Sequence, residues 1–222
     1  AQTLAFSIAG GADAGRFAID AASGVLAFAT TPDHESPLDA DGNDVYEAVV
    51  QVSDGAGGTD SQAISVTVTN ANEAPVITSN GGGATASIAV AENTTAVTTV
   101  TATDAEGATL AYSIAGGADA GRFTIDAASG VLAFAAAPDQ ENPLDAGGNN
   151  VHDFVVQVSD GAGGTAQQAL RVSVLDVSEP PTVSAPVALT VDEDTPLAFG
   201  GAISVAAPEG GVITVTLTVA HG

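Results

Sequence analysis

Carboxylates are the chemically capable groups that this sequence repeats. Asp33-His34-Glu35 recurs as Asp139-Gln140-Glu141, and Asp54 recurs as Asp160, each at an offset of 106 residues. Spaced acids without basic partners attract cations, and paired carboxyls can in principle hydrolyse sugars. The histidines do not support catalysis. His34 is replaced by Gln140 in the other copy, His152 by Tyr46, and His221 sits at the end of the chain. No His-Glu-x-x-His spacing that would hold zinc occurs, so they read as surface histidines. An aromatic platform for a sugar is missing too. There is no Trp, the only tyrosines are Tyr46 and Tyr112, and most of the seven Phe fall on apolar strand faces. The acids therefore point to cation binding, and no enzyme is expected.

The charge balance agrees. The chain has 27 Asp and Glu against three Arg (Arg16, Arg122, Arg171) and no Lys, a net charge of −24 over 222 residues. Such a surface repels nucleic acid and anionic lipid. Acidity of this degree can also mean disorder, but 45% of the residues are hydrophobic and they alternate in strand-like runs, which argues for folding. There is no Cys, so metal ions rather than disulfides would do any stapling. No run of 18 apolar residues exists, so no membrane insertion by a helix is expected.

The elements that must position the acids are themselves duplicated. Residues 5–70 and 111–176 align without a gap, with 48 of 66 positions identical. A repeat of this length is a whole module. Leu4, Phe6 and Ile8 alternate with small or polar partners. So do Phe17 and Ile19, then Val25, Ala27 and Ala29, then Ala48, Val50 and Val52, then Ile64, Val66 and Val68. These predict five strands separated by Gly-, Asp- and Ser-rich turns such as Asp20-Ala21-Ala22-Ser23-Gly24. Two more strands, Ser87 to Ala91 and Thr98 to Thr103, precede the second copy and complete a seven-stranded module. The pattern restarts at Val187 to Val191, Ala202 to Val205 and Val212 to Val219. The expected organisation is all-β: tandem seven-stranded sandwiches of the immunoglobulin-like Greek-key kind. Residues 1–74 form a module lacking its first two strands, 75–180 a complete one, and 181–222 the opening strands of a third. The linkers Asn70 to Pro75 and Asp176 to Pro181 are short, Pro-bearing and stiff.

The ordered set Ala91-Glu92-Asn93, Asp104-Ala105-Glu106-Gly107, Tyr112-Ser113-Ile114, Asp139-Gln140-Glu141, Asp160-Gly161 and the Asp176 linker resembles a cadherin repeat. The Ala/Gly/Thr-rich style and the Asn-Glu-Ala-Pro linker are most similar to cadherin-like repeats of large bacterial surface adhesins. In that family calcium binds between successive modules. The resemblance implies, at the first junction, Asp33 and Glu35 upstream, Asn70, Asn72 and Glu73 in the linker, and Asp104, Glu106 and Asp160 downstream. At the second it implies Glu92, Asp139, Glu141, Asp176, Ser178, Glu179 and Glu209. This chain departs from the family in carrying Glu106, Glu73 and Glu179 where aspartate is usual, Ser178 for a linker Asn, and Ala207-Pro208-Glu209 with one carboxylate lost.

The chemistry is consistent with the likeness. Calcium is a hard ion that takes six to eight oxygens in adjustable geometry, and gathered acids repel until an ion neutralises them. The implied function is that of a secreted or cell-surface stalk, stiffened by calcium between neighbouring modules of the same long chain or of identical chains. It would serve adhesion, surface attachment or fibre formation, with a cell-surface or polysaccharide target. The alternative is a calcium-dependent carbohydrate-binding module. The second acidic loop, Asp39-Ala40-Asp41-Gly42-Asn43-Asp44, reads as a solvated turn, because its copy Asp145-Ala146-Gly147-Gly148-Asn149-Asn150 drops two acids. Arg16 and Arg122 recur in Asp-Ala-Gly-Arg-Phe and read as local packing or ion pairing. The incomplete first and third modules read as parts of a longer array. Donation of the 187–205 strands to the next subunit is the other arrangement.

Overall fold

The computed structural model describes residues 3–186, 188–196, 203–208, 210 and 212–216. It separates into two compact units. One comprises 1–74 with 104–108 and 162–164; the other comprises 75–103, 109–161 and 165–222.

In the first unit the strands are β1 (Ala5–Gly10), β2 (Phe17–Ile19), β3 (Leu26–Phe28), β4 (Val45–Ser53) and β5 (Thr59–Thr67). They form an antiparallel sheet in the order β1-β4-β5 and a hairpin β2-β3. The hairpin is built by its turn. Asp20 Oδ1 accepts the Ala22 N–H at 3.1 Å, the Ser23 N–H at 2.7 Å and the Ser23 hydroxyl at 2.7 Å, and Asp126 does the same in the other copy. Phe17, Tyr46 and Ala48 are buried, with Ile8, Leu26, Phe28 and Val66 against them.

The second unit contains β6 (Val76–Ile77), β7 (Thr85–Ala91), β8 (Ala96–Thr99), β9 (Ala102–Thr103), β10 (Ala111–Gly116), β11 (Phe123–Ile125), β12 (Val131–Phe134), β13 (Val151–Ser159) and β14 (Thr165–Leu175). One sheet runs β10-β13-β14-β7, and a second runs β11-β12-β8. The fold is thus an all-β, immunoglobulin-like sandwich, as the period-two alternation predicts. Inward residues of β13 (Phe154, Val156, Val158) and β14 (Leu170, Val172, Val174) meet Phe123, Leu132 and Phe134 in one core. Phe123 stacks on Phe154 with ring centroids 4.0 Å apart. β7 joins β14 in parallel, from Ala169↔Thr85 to Leu175↔Ala91.

Two expectations need correction. The single strand expected over Thr98 to Thr103 is two. β8 pairs with β12, the chain crosses at the fully buried Val100, and β9 pairs with the additional short strand β6. Alternation continues through the crossing, so the sequence pattern hides it. In the last segment β15 (Thr182–Ser184) pairs with β16 (Ser204–Ala206). Residues 188–191 and 212–216 are not strands, for no ladder partner meets them among the described residues. Val187, Ala202 and 217–219 of the expected strands lie outside the described residues.

One difference between the copies predicts a stabilising substitution. The buried Tyr46 hydroxyl accepts the Leu38 N–H at 3.0 Å. His152, expected at the surface, instead takes that place in the second unit, as buried as Tyr46 and packed against Phe134, and its Nδ1 has no partner. Beside it lies a cavity of about 100 Å³ lined by Arg122, Phe134, Leu144, Asn150 and His152. Burial holds its imidazole below the ordinary value, against Asp119 and Asp145. A depressed histidine favours folding only while neutral, so this stability is complete above about pH 6.5 and falls away with acidification. His152→Tyr is expected to fill the cavity, stabilise the second unit by about 1 kcal/mol and remove that acid sensitivity. Thermal unfolding at pH 5 and pH 7.5 checks both effects.

Candidate metal centre

The loop after β3 is shaped by Asp33, whose Oδ1 accepts the N–H groups of Glu35 at 3.0 Å and Ser36 at 3.2 Å. This turn presents the half-buried Glu35. The segment 104–108 is held by the same device: Asp104 Oδ1 accepts the Ala108 N–H at 3.0 Å. Between them runs 70–73, where the Glu73 N–H donates to Glu106 Oε1 at 3.1 Å and Asn72 Nδ2 donates to the Glu73 carbonyl at 3.2 Å. All of these residues belong to the first unit. Carboxylate oxygens of Glu35, Glu73 and Glu106 lie within 4.8 Å of one another.

Negative charge is concentrated in this cluster. Glu35 Oε1, Asp104 Oδ2 and Glu106 Oε2 are buried without a hydrogen-bond partner. Native proteins rarely leave such atoms unsatisfied. The Glu73 carboxyl is pushed up to about 7 by its contact with Glu106, by desolvation and by the charges of Glu35, Glu106 and Asp33. Glu106 is lowered in return by the same contact. A proton shared between two carboxylates neutralises charge where a cation otherwise would. The donor set is all oxygen, and its orphaned oxygens fit a hard divalent ion such as calcium.

A second cluster lies in the second unit. Glu92 is 1% exposed; its Oε2 accepts the Gln140 N–H at 2.7 Å and its Oε1 the Val177 N–H at 2.8 Å. Those two bonds hold its carboxyl below the usual range. Carboxylate oxygens of Glu92, Glu141 and Asp176 lie within 4.8 Å of one another. Glu141 is raised, mainly by desolvation, with Glu92, Glu179 and Asp176 adding repulsion. Asn93 reaches across to hydrogen-bond Glu179.

The remaining acids are placed differently. Asp139 shapes its own loop, accepting the Asn142 N–H at 3.0 Å. Asp160 is buried at the end of β13, in the second unit. Asn70 and Ser178 are exposed in the linkers, and Glu209 lies outside the described residues. The recurring Asp-Ala-Gly-Arg-Phe was read through its arginine, but the buried group is the aspartate. Asp13 accepts the Ala40 and Glu47 N–H groups at 2.7 and 2.8 Å, and Asp119 those of Ala146 and Asp153 at 2.6 and 2.8 Å. The identity of Asp13 with Asp119 across the copies is the sequence signal that would have found them. No helix among the described residues is long and apolar enough to cross a membrane.

Known proteins place this architecture. Residues 72–173 match a family model described as a bacterial Ig domain. Comparison with curated protein sequences finds no match. Among solved structures, the chain is similar to human CDH23 EC21-23, with a TM-score of 0.52 and 17% identity over 95% of this chain and 70% of that one. It is also similar to mouse cadherin-23 EC22-24, with a TM-score of 0.47 and 24% identity over 79% of this chain and 53% of that one. The chain thus spans about half the length of the latter. At 17% identity the likeness to human CDH23 EC21-23 shows the fold alone: a cadherin-like, immunoglobulin-like sandwich.

Proposed function

We propose that the chain is a segment of an extracellular, calcium-dependent adhesive stalk of a bacterial surface protein. In this reading calcium ions held by the acidic clusters lock successive sandwich modules into a stiff array. The observation that carries the reading is the Glu35-Glu73-Glu106 cluster, with buried carboxylate oxygens left unpartnered. Asp33 and Asp104 hold the loops, Glu35, Glu73 and Glu106 supply carboxylate oxygens, and Asp104 adds one more. Asn70, Asn72 and Asp160 complete the proposed set. Glu92, Asp139, Glu141, Asp176, Ser178, Glu179 and Glu209 form the proposed second set. The ion supplies charge neutralisation and oxygen cross-linking; the role is mechanical rather than chemical. Neighbouring modules, or identical chains, are the proposed partners. The carbohydrate reading has less support, because Tyr46 is buried and Tyr112 packs against the core, leaving neither tyrosine as an open platform.

Glu106→Gln keeps the side chain's volume and removes the charge at the centre of the first cluster. It is expected to weaken the tightest calcium site at least tenfold, in line with loss of a charged oxygen ligand. Titration calorimetry on wild type and variant reads this directly. Equal affinities would remove the cluster from the binding site.

A further inference from the structure

Several residues of the second unit jointly shape the cavity beside His152. Its volume is about 100 Å³. Every residue lining it has a counterpart 106 residues earlier, and four of those positions differ between the copies. Ala136 and Ala137 stand where the first copy has Thr30 and Thr31, and His152 stands for Tyr46. Each of these three replacements is smaller. The fourth, Asn150 for Asp44, keeps the size and removes a charge. The differences thus act together: they open space and leave it less charged.

The imidazole is pinned, so it does not close the gap. It packs edge-on against Phe123, with ring centroids 5.6 Å apart, and against Phe134 at 5.1 Å. Tyr46 is held alike, edge-on to Phe28 at 5.1 Å, and its longer ring carries a hydroxyl out to the Leu38 N–H. An imidazole is shorter than a phenol, so the place of that hydroxyl, beside Leu144, is vacated. His152 is only 3% exposed, and its Nδ1 has no hydrogen-bond partner among the described residues. Buried polar groups rarely stay unsatisfied. The charged groups of the lining, Arg122 and Asp139, are opposite in sign. Asn150 Nδ2 is already engaged, donating to the Gln140 carbonyl at 2.8 Å. The rest of the wall is apolar.

We propose that this cavity is a binding site for a small uncharged molecule that joins one hydroxyl to a short hydrocarbon body, a short-chain alcohol. The hydroxyl takes the role of the missing phenol oxygen, and it both donates and accepts, so it serves the Leu144 N–H and the imidazole. The body lies against Phe134, Ala136, Ala137 and Pro138. An apolar cavity of about 150 Å³ takes benzene, so this smaller one takes about four heavy atoms. So few atoms limit the affinity to the millimolar range. The site needs no metal, and it therefore does not depend on the stalk reading.

The test titrates 1-propanol into the 222-residue chain at pH 7.5, where the depressed imidazole is neutral. The His152 ring and Leu144 methyl resonances are followed by NMR. Both are expected to shift saturably, with a midpoint in the millimolar range. His152→Tyr and Ala137→Thr each restore a residue that the first copy folds with, and each is expected to abolish the shift. If one variant does not fold, the other carries the comparison. Propionate has a similar length but a charge, and it is expected to bind at least about tenfold more weakly, because burying an unpaired charge is costly. No saturable shift with 1-propanol would mean that the cavity holds water only, and would overturn the proposal. Propionate binding as tightly as 1-propanol would overturn the uncharged class. An undiminished response in the variants would place the binding elsewhere and overturn the assignment to this cavity.

Discussion

In excess calcium the melting temperature is expected to rise by roughly 10 °C over its value in EGTA. The first acidic cluster sets the sign. Its glutamates are brought to within 4.8 Å of one another, and three buried oxygens of the neighbourhood lack donors. The folded, metal-free protein therefore holds repulsion that the unfolded chain relieves by separation. Extracellular modules bind calcium at about 0.1 to 1 mM. At 10 mM the ion stabilises the folded state by about 2 kcal/mol per site through mass action. The effect depends on pH. Glu73 has its carboxyl pushed up to about 7, and a carboxyl raised on folding favours the folded state only while protonated. That contribution is full below about 4.5, its ordinary value, and is lost as pH rises through 7. Calcium is thus expected to stabilise more at pH 8 than at pH 5.5, where protons already do part of the neutralising. Calorimetry at the two pH values, with small-angle scattering for the expected stiffening, checks this. A melting temperature and scattering profile unmoved by calcium at pH 8 would end the metal reading.

Gly130→Ala is expected to damage the second unit far more than Gly24→Ala damages the first, although both glycines close the same Asp-Ala-Ala-Ser-Gly turn. Their backbones are alike, with φ of +71° and +74°. Placing an L side chain there costs about 1 kcal/mol in either copy. The surroundings differ. A Cβ on Gly130 would stand 2.1 Å from the Val100 carbonyl oxygen, whereas one on Gly24 meets only the Phe6 ring at 3.1 Å. The Phe6 ring is a half-buried side chain able to give a few tenths of an ångström. The Val100 backbone is not, because the Val100 N–H donates to the Gly130 carbonyl at 2.8 Å and β8 is paired to β12 next to it. Moving it strands a buried N–H, at about 1–3 kcal/mol, and disturbs that pairing. A total of at least about 3 kcal/mol is expected for Gly130→Ala against about 1 for Gly24→Ala. Denaturant unfolding of both variants measures the difference. Equal losses would mean that the turn's own φ, not its neighbour, sets the cost.

The same pair of glycines divides what is legible in a sequence from what is not. The turn, its Asp20 or Asp126 cap and the period-two strands on either side depend on neighbours within a few residues, so the amino-acid order determined them. It also carries the 106-residue repeat and the acids available for a cation. Other features depend on residues far apart in the chain, and only the tertiary structure decided them. Thr98 to Thr103 alternates like one strand but splits, because β12 takes one end and β6 the other. Asp13 and Asp119 look like turn acids yet are buried, because backbone donors 27 and 34 residues away converge on them. Glu35, Glu73 and Glu106 are ordinary surface acids by composition. Their shared oxygen cluster exists because folding places three separate loops together, and the raised Glu73 carboxyl is the electrostatic consequence of that convergence. Local hydrogen bonds and side-chain alternation are written residue by residue; long-range contacts form only when the sheets close.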